Sequence, residues 1–163
     1  DEINALIDDL RIKIQENISY ARGVKLSGGS LGSYVHHNNK VAGVVKVEGA
    51  EVDDETLTGL CQHVVAHVPT PLAVDETGLD AGLKEKAMSE AKEEAIQSGK
   101  PEEIAEKIAT GKYRKWVDEH TLLGQNYVKD PEGNQTVGDA LSKGAEVKCF
   151  YRYAVGAPVA AGE

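Results

Sequence analysis

Six aliphatic or small apolar residues, Leu57, Leu60, Cys61, Val64, Val65 and Val68, recur at i, i+3, i+4, i+7, i+8 and i+11. That is one unbroken helical stripe, and a stripe of this kind must be laid on a sheet or another helix to leave water. At roughly 1.5–3 kcal/mol for each buried aliphatic side chain, it forms a major part of whatever core the chain builds. Asp53 is a good N-cap, Asp54 and Glu55 put negative charge on the positive end, and Pro69 marks the stop, so the spacing predicts a helix over residues 54–68. At ~100° per residue His67 lies at the edge of the stripe and His63 further round, toward solvent. The two are a turn apart, so a partner sees both.

The surface that receives this helix is predicted just before it. Residues 31–37 and 41–48 each alternate, with Leu31, Ser33, Val35 and His37 on one face and Val41, Gly43, Val45 and Val47 on one face, and Asn38-Asn39 between them suits a tight hairpin. Earlier, Ile18, Tyr20, Val24 and Leu26 alternate as a half-buried strand over 18–26, with Arg22-Gly23 as an irregularity. Near the end, Val147, Cys149, Tyr151, Tyr153 and Val155 alternate with polar or small residues over 145–155. Val41, Val45, Val47, Val147, Cys149 and Tyr151 are expected to point inward. A first helix with Ile3, Leu6, Ile7, Leu10 and Ile14 packs one face, and Thr136 caps a short helix through Leu141.

Between these parts lies a different composition. Residues 79–99 are highly charged, with Leu83, Ala87, Ala91 and Ala95 at four-residue spacing; Ser98-Gly99 breaks the pattern and Pro101 opens a second helix with Ile104, Ala105, Ile108 and Ala109. Two helices with narrow alanine faces and a short loop read as an antiparallel hairpin. The fold class is therefore α+β: an antiparallel sheet of three to four strands, helices on one side, and an inserted helical hairpin. Residues 1–78 and 121–163 form one core subdomain and its carboxy-terminal tail, frayed from residue 156, with the hairpin at 79–120. The first residue, Asp1, already sits in a helical pattern, as in a chain processed or excised from something longer.

Charge and motif content exclude more than they assign. A formal charge of −9 argues against direct nucleic-acid or anionic-membrane binding, which needs a basic stripe. No apolar run approaches the ~20 residues of a membrane span. Cys61 and Cys149 read as small buried hydrophobes of a reducing compartment. His63 and His67 have metal-chelating spacing, but Val64, Val65 and Ala66 stand where a zinc protease carries its glutamate, and His36 and His37 on adjacent strand positions point to opposite faces. No serine has a nucleophile-elbow setting, and Cys61 lies inside the apolar stripe. Tyr113 and Trp116 beside Lys112, Arg114 and Lys115 read as an anchor at the hairpin's end rather than an RNA-stacking platform. The residues give a non-enzymatic α+β binding module with no cofactor, metal or catalytic site.

Several stretches then resemble one family in its own order: LGSYVHHNNKVAGVVKVEG at 31–49, CQHVVAHVPTP at 61–71, IQSGKPEEIAEKIATGKYRKW at 96–116, LLGQNYVKDP at 122–131, TVGDAL at 136–141 and FYRYAVG at 150–156. Together they cover nearly the whole chain and resemble elongation factor Ts, the guanine-nucleotide exchange factor of elongation factor Tu. The resemblance implies the family's second core subdomain with its coiled-coil hairpin, acting in a bacterial cytoplasm or in an organelle that kept bacterial translation. It implies a partner site for the GTPase at His67 and Ala42, with His63 and Val44 beside them; Ala42 stands where the family usually has a larger aliphatic. The C-E-T-D-F-V stretch of the family's first core subdomain does not occur in this sequence, so the chain is expected to be the partner-binding part. The alternative is an interaction module for ribosome docking or for homodimerisation through the hairpin.

Overall fold

A computed structural model describes residues 2–99 and 101–157, and it divides into two units: residues 1–26 with those from 156 onward, and residues 27–155. The expected fraying of the tail concerns, from residue 158, positions outside the described residues.

In the first unit, α1 (Glu2–Ile14) has an acid in its opening turn and Arg11 and Lys13 in its last, the order a helix dipole favours. Arg11 pairs with Asp8 at 2.7 Å and donates to the Ile18 carbonyl at 2.6 Å. The expected packed face is not formed: Leu6 and Ile14 are exposed and no residue of α1 is buried. Nor is the strand at 18–26, which stays irregular throughout. Alternation supplies a strand's side chains, but a strand also needs a neighbour for its backbone hydrogen bonds, and 18–26 has no ladder among the described residues.

The second unit holds a three-stranded antiparallel sheet in the order β1 (Ser30–Val35), β2 (Val41–Gly49), β3 (Ala145–Ala154). The β1–β2 turn closes as its asparagines suggest: Asn39 takes φ 55°, and the Lys40 N–H donates to the Asn38 side chain at 2.9 Å. Opposed residues share a face, so Gly43, Val45 and Val47 of β2 face inward with Gly32 and Tyr34 of β1. On β3 the register slips between Lys46 and Val47: Cys149 opposes Lys46, Val147 opposes Val47, and Lys148 is left over. This bulge reverses the phase of the strand beyond it. Val147 stays inward as expected, but Phe150 joins the core, and Cys149 and Tyr151 turn to the other face, contrary to simple alternation.

Across the inward face lies α2 (Asp54–Ala66), with Asp53 accepting from the Thr56 N–H at 2.8 Å as N-cap. Leu57, Leu60, Cys61, Val64 and Val65 are buried as the stripe requires. Val68 is not, at 87% exposed, because the helix has already ended at Ala66 and His67 has turned to extended backbone. The helix comes close because two glycines lie beneath it: a Cβ on Gly32 would sit 3.0 Å from the Leu57 Cβ, and one on Gly43 3.0 Å from a Val65 methyl.

The inserted hairpin is α3 (Ala81–Gln97) and α4 (Glu102–His120), turned at Ser98 and Gly99, the latter with φ 67°. Its seam is Ala91 and Ala95 against Ala105 and Ala109. Lys112 pairs with Glu94 across it. At the root, Tyr113 and Trp116 pack on Ala73, Leu79 and Val117, the anchoring role expected of them. Residues 72–74 run beside 120–123, with the Leu72 N–H donating to the His120 carbonyl at 2.9 Å and the Leu122 N–H to the Ala73 carbonyl at 2.8 Å. The short α5 (Val137–Ala140) carries a full capping box between Thr136 and Asp139. No helix among the described residues is long and apolar enough to cross a membrane.

Candidate functional site

Both histidines of the α2 region depart from the wheel, in opposite senses. His63, placed toward solvent by its angle, is fully buried. His67, at the edge of the stripe, is the half-buried C-cap residue whose N–H donates to the His63 carbonyl at 2.9 Å. The reason for the first is a second wall. The segment 125–128 covers the flank of α2 that carries Gly59 and His63, and a Cβ on Gly59 would collide with the Tyr127 hydroxyl. Helix α2 is thus buried on two sides, by the sheet and by this segment.

The hydrogen bonds behind that wall determine each other. Gln125, also buried, has its side-chain nitrogen 2.9 Å from the Pro69 carbonyl and 2.7 Å from the Glu119 carbonyl. Carbonyls only accept, so the amide orientation is fixed and its oxygen must face the His63 Nε2 at 2.9 Å. That nitrogen therefore carries the proton and donates, leaving Nδ1 to accept from the Val128 N–H at 3.2 Å. Every polar group of the pair has a partner, and His63 is held neutral. Burial, and to a smaller extent the nearby His67, outweighs the Gln125 hydrogen bond and pushes its pKa from 6.5 down to about 4.

His67 stacks on His63 with ring centroids 4.6 Å apart and planes inclined by 27°. Its Nδ1 lies 3.0 Å from the same Pro69 carbonyl that Gln125 holds, so Nδ1 donates and Nε2 is left as the ring's free acceptor. On the far side His63 lies 6.0 Å from the Tyr127 ring. The result is a half-exposed imidazole of defined tautomer resting on a buried one.

The thiol of Cys61, buried on the sheet-facing side of α2, is pushed up to about 11 by desolvation against a smaller opposing hydrogen bond from the Val45 backbone, which makes it a poor nucleophile. Ala42 and Val44 occupy the alternate positions of β2, opposite Val35 and Ser33 on one side and Tyr153 and Tyr151 on the other. Their side chains point to the sheet face away from α2, so the structure brings His63 and His67 together but sets Ala42 and Val44 on another face. His36 and His37, expected on opposite faces, come together with ring centroids 4.1 Å apart, because β1 ends at Val35 and alternation no longer applies. Sequence reasoning gives Gln125 and Tyr127 no role. The one signal for them is Gly59, a residue unfavourable by about 1 kcal/mol inside a helix and four positions before His63 on the same flank.

Comparison with known proteins agrees with the resemblance noted in the sequence. The family described as Elongation factor TS matches residues 1–157. The chain is 39% identical over 160 residues to the elongation factor Ts of Photobacterium profundum, covering 95% of this chain and 55% of that protein. It is 40% identical over 148 residues to that of Thioalkalivibrio sulfidiphilus and 41% identical over 146 residues to that of Dechloromonas aromatica, in each case 88% of this chain and 48% of the relative. The chain thus spans about half the length of these relatives.

Proposed function

The chain belongs to the elongation factor Ts family, and from that premise we propose that it acts in translation elongation by binding the GTPase elongation factor Tu and favouring its nucleotide-free form. A partner that binds the nucleotide-free state more tightly than the GDP state loosens GDP by the same factor, so exchange needs no chemical step from this chain and the protein is not an enzyme. His67 is the contact residue, and the observation that carries this is its half-exposed ring with one nitrogen fixed and the other free. His63 supports it from below. Ala42 and Val44 enter from the family resemblance as an apolar patch on the outer sheet face. The relatives named above are bacterial, which favours a bacterial cytoplasm, with an organelle that kept bacterial-type translation as the other setting.

Homodimerisation through the hairpin is the alternative reading; its alanine seam is closed within one chain, so a second copy would have to meet its outer faces. The test is co-elution with elongation factor Tu, with and without GDP. Binding that weakens when GDP is added supports the proposal; binding indifferent to GDP points to a docking module, and no binding removes the proposal. His67→Ala should weaken the complex by about 1–3 kcal/mol, the range for a well-packed contact residue. An unchanged affinity would remove His67 from the interface.

A further inference from the structure

The Pro69 carbonyl is shared. It accepts from the His67 Nδ1 at 3.0 Å and from the Gln125 Nε2 at 2.9 Å, and the same Gln125 nitrogen reaches the Glu119 carbonyl in the last turn of α4 at 2.7 Å. The last carbonyls of a helix have no partner inside it, so Gln125 completes the end of the hairpin's second helix with the hand that holds the connector after α2. Its oxygen meanwhile accepts the hydrogen bond from the His63 Nε2–H, and the His63 ring is the surface on which His67 stacks. One buried side chain therefore touches both supports of the exposed imidazole: the carbonyl that fixes its tautomer and the ring that fixes its plane.

We propose that Gln125 is the positioning residue for His67, locking the ring's orientation and tying it to the root of the helical hairpin, so that contact face and hairpin present themselves to the partner as one rigid piece. This rests on the reading of His67 as the contact to elongation factor Tu. Without Gln125 the Pro69 carbonyl keeps only the bond from His67 itself and is no longer bridged to the Glu119 carbonyl, so the connector is joined to α4 only further along, where the Leu72 N–H donates to the His120 carbonyl. The ring then samples other orientations in the free protein, and binding carries the cost of fixing it again.

Two variants and one measurement on the unsubstituted chain test this. Gln125→Met removes every hydrogen bond at similar length. Gln125→Glu keeps an acceptor toward His63 and puts a carboxyl oxygen in place of the donor to Pro69 and Glu119. In the unsubstituted chain, NMR should show a single His67 tautomer, protonated at Nδ1, and Gln125 side-chain amide protons that exchange as slowly as the backbone amides of α2. Rapid exchange of that amide would mean the clamp is not formed and would overturn the proposal whether or not any variant folds. Either folded variant should give averaged His67 ring-nitrogen signals and bind elongation factor Tu about tenfold more weakly. In a His67→Ala background the same substitution should change affinity less than twofold, since a residue acting through His67 has nothing left to position. A purely structural role would weaken both backgrounds alike, and that outcome refutes the positioning role. If His67→Ala itself leaves binding intact, the contact reading fails instead, while the tautomer and exchange measurements still decide the clamp.

Discussion

Acidification should destabilise the core through His63 before it reaches the carboxylates. His63 is neutral in the folded state with a pKa pushed to about 4, against 6.5 when free. Its folded pKa is depressed, so between those values the unfolded chain holds the extra proton and stability rises with pH. The stabilising contribution of neutral His63 is thus fully present above pH 6.5 and is lost as pH falls toward 4. At 1.36 kcal/mol for each pH unit separating the two pKa values, the full loss is on the order of 3 kcal/mol, of which about 2 kcal/mol falls between pH 7 and 4.5. The exposed carboxylates act lower. Glu48 is held below its usual range by Lys46, Asp53 by Thr56, Asp75 by Thr77 and Asp139 by Thr136, so what they contribute is lost only as pH drops below about 4.5. His63→Gln offers an acceptor to the Val128 N–H and a donor to Gln125 without titrating. Urea unfolding followed by Trp116 fluorescence, which reports on the unit spanning 27–155, should show the unsubstituted chain losing about 2 kcal/mol more than His63→Gln between pH 7 and 4.5. Equal losses in the two proteins would refute the claim that burial holds this imidazole neutral.

Glycine substitutions should separate by environment. Gly43→Ala drives a methyl to 3.0 Å from Val65 and 3.1 Å from the Cys61 carbonyl, and urea unfolding should find it destabilised by about 1–3 kcal/mol, the usual cost of overpacking. Gly111→Ala, in exposed α4 with nothing within 4 Å of the new carbon, should instead stabilise by about 0.5–1 kcal/mol. Amide exchange should be faster in α3 over residues 87–95 than in α2, because an alanine seam buries little apolar area for each residue while α2 is covered on two sides. Slower exchange in α3 would contradict that account.

Periodicity makes much of this fold readable and also marks where reading stops. The stripe from Leu57 to Val65, the β1–β2 turn and the alanine seam of the hairpin follow from spacing, because each depends on side chains of one element against one neighbour. The strand expected at 18–26 does not form because alternation is only half of a strand: the other half is a backbone partner, which no local pattern supplies. Cys149 and Tyr151 take the face opposite to the expected one because a single extra residue, Lys148, shifts the phase of everything after it, and nothing in AEVKCFYRYA announces the bulge. Val68 continues the helical spacing two residues past the point where the backbone stops following it.

The histidine pair carries the same lesson to the site. His63 and His67 are one residue type at helical spacing, and a wheel can only rank them by angle from the sheet-facing stripe. It ranks His67 as the more inward. The order reverses because burial is set by a segment 62 residues away in the chain, where Gln125 meets His63, and because α2 ends before His67. What sequence does offer is Gly59, a helix-interior glycine on the flank of His63, the place where a second wall approaches too closely for a side chain. With that wall in place the roles divide. If His67 is the contact to elongation factor Tu, as proposed, a change at His63 acts on stability and on its pH dependence, a change at His67 on the affinity for the partner, and a change at Gln125 on that affinity only through His67.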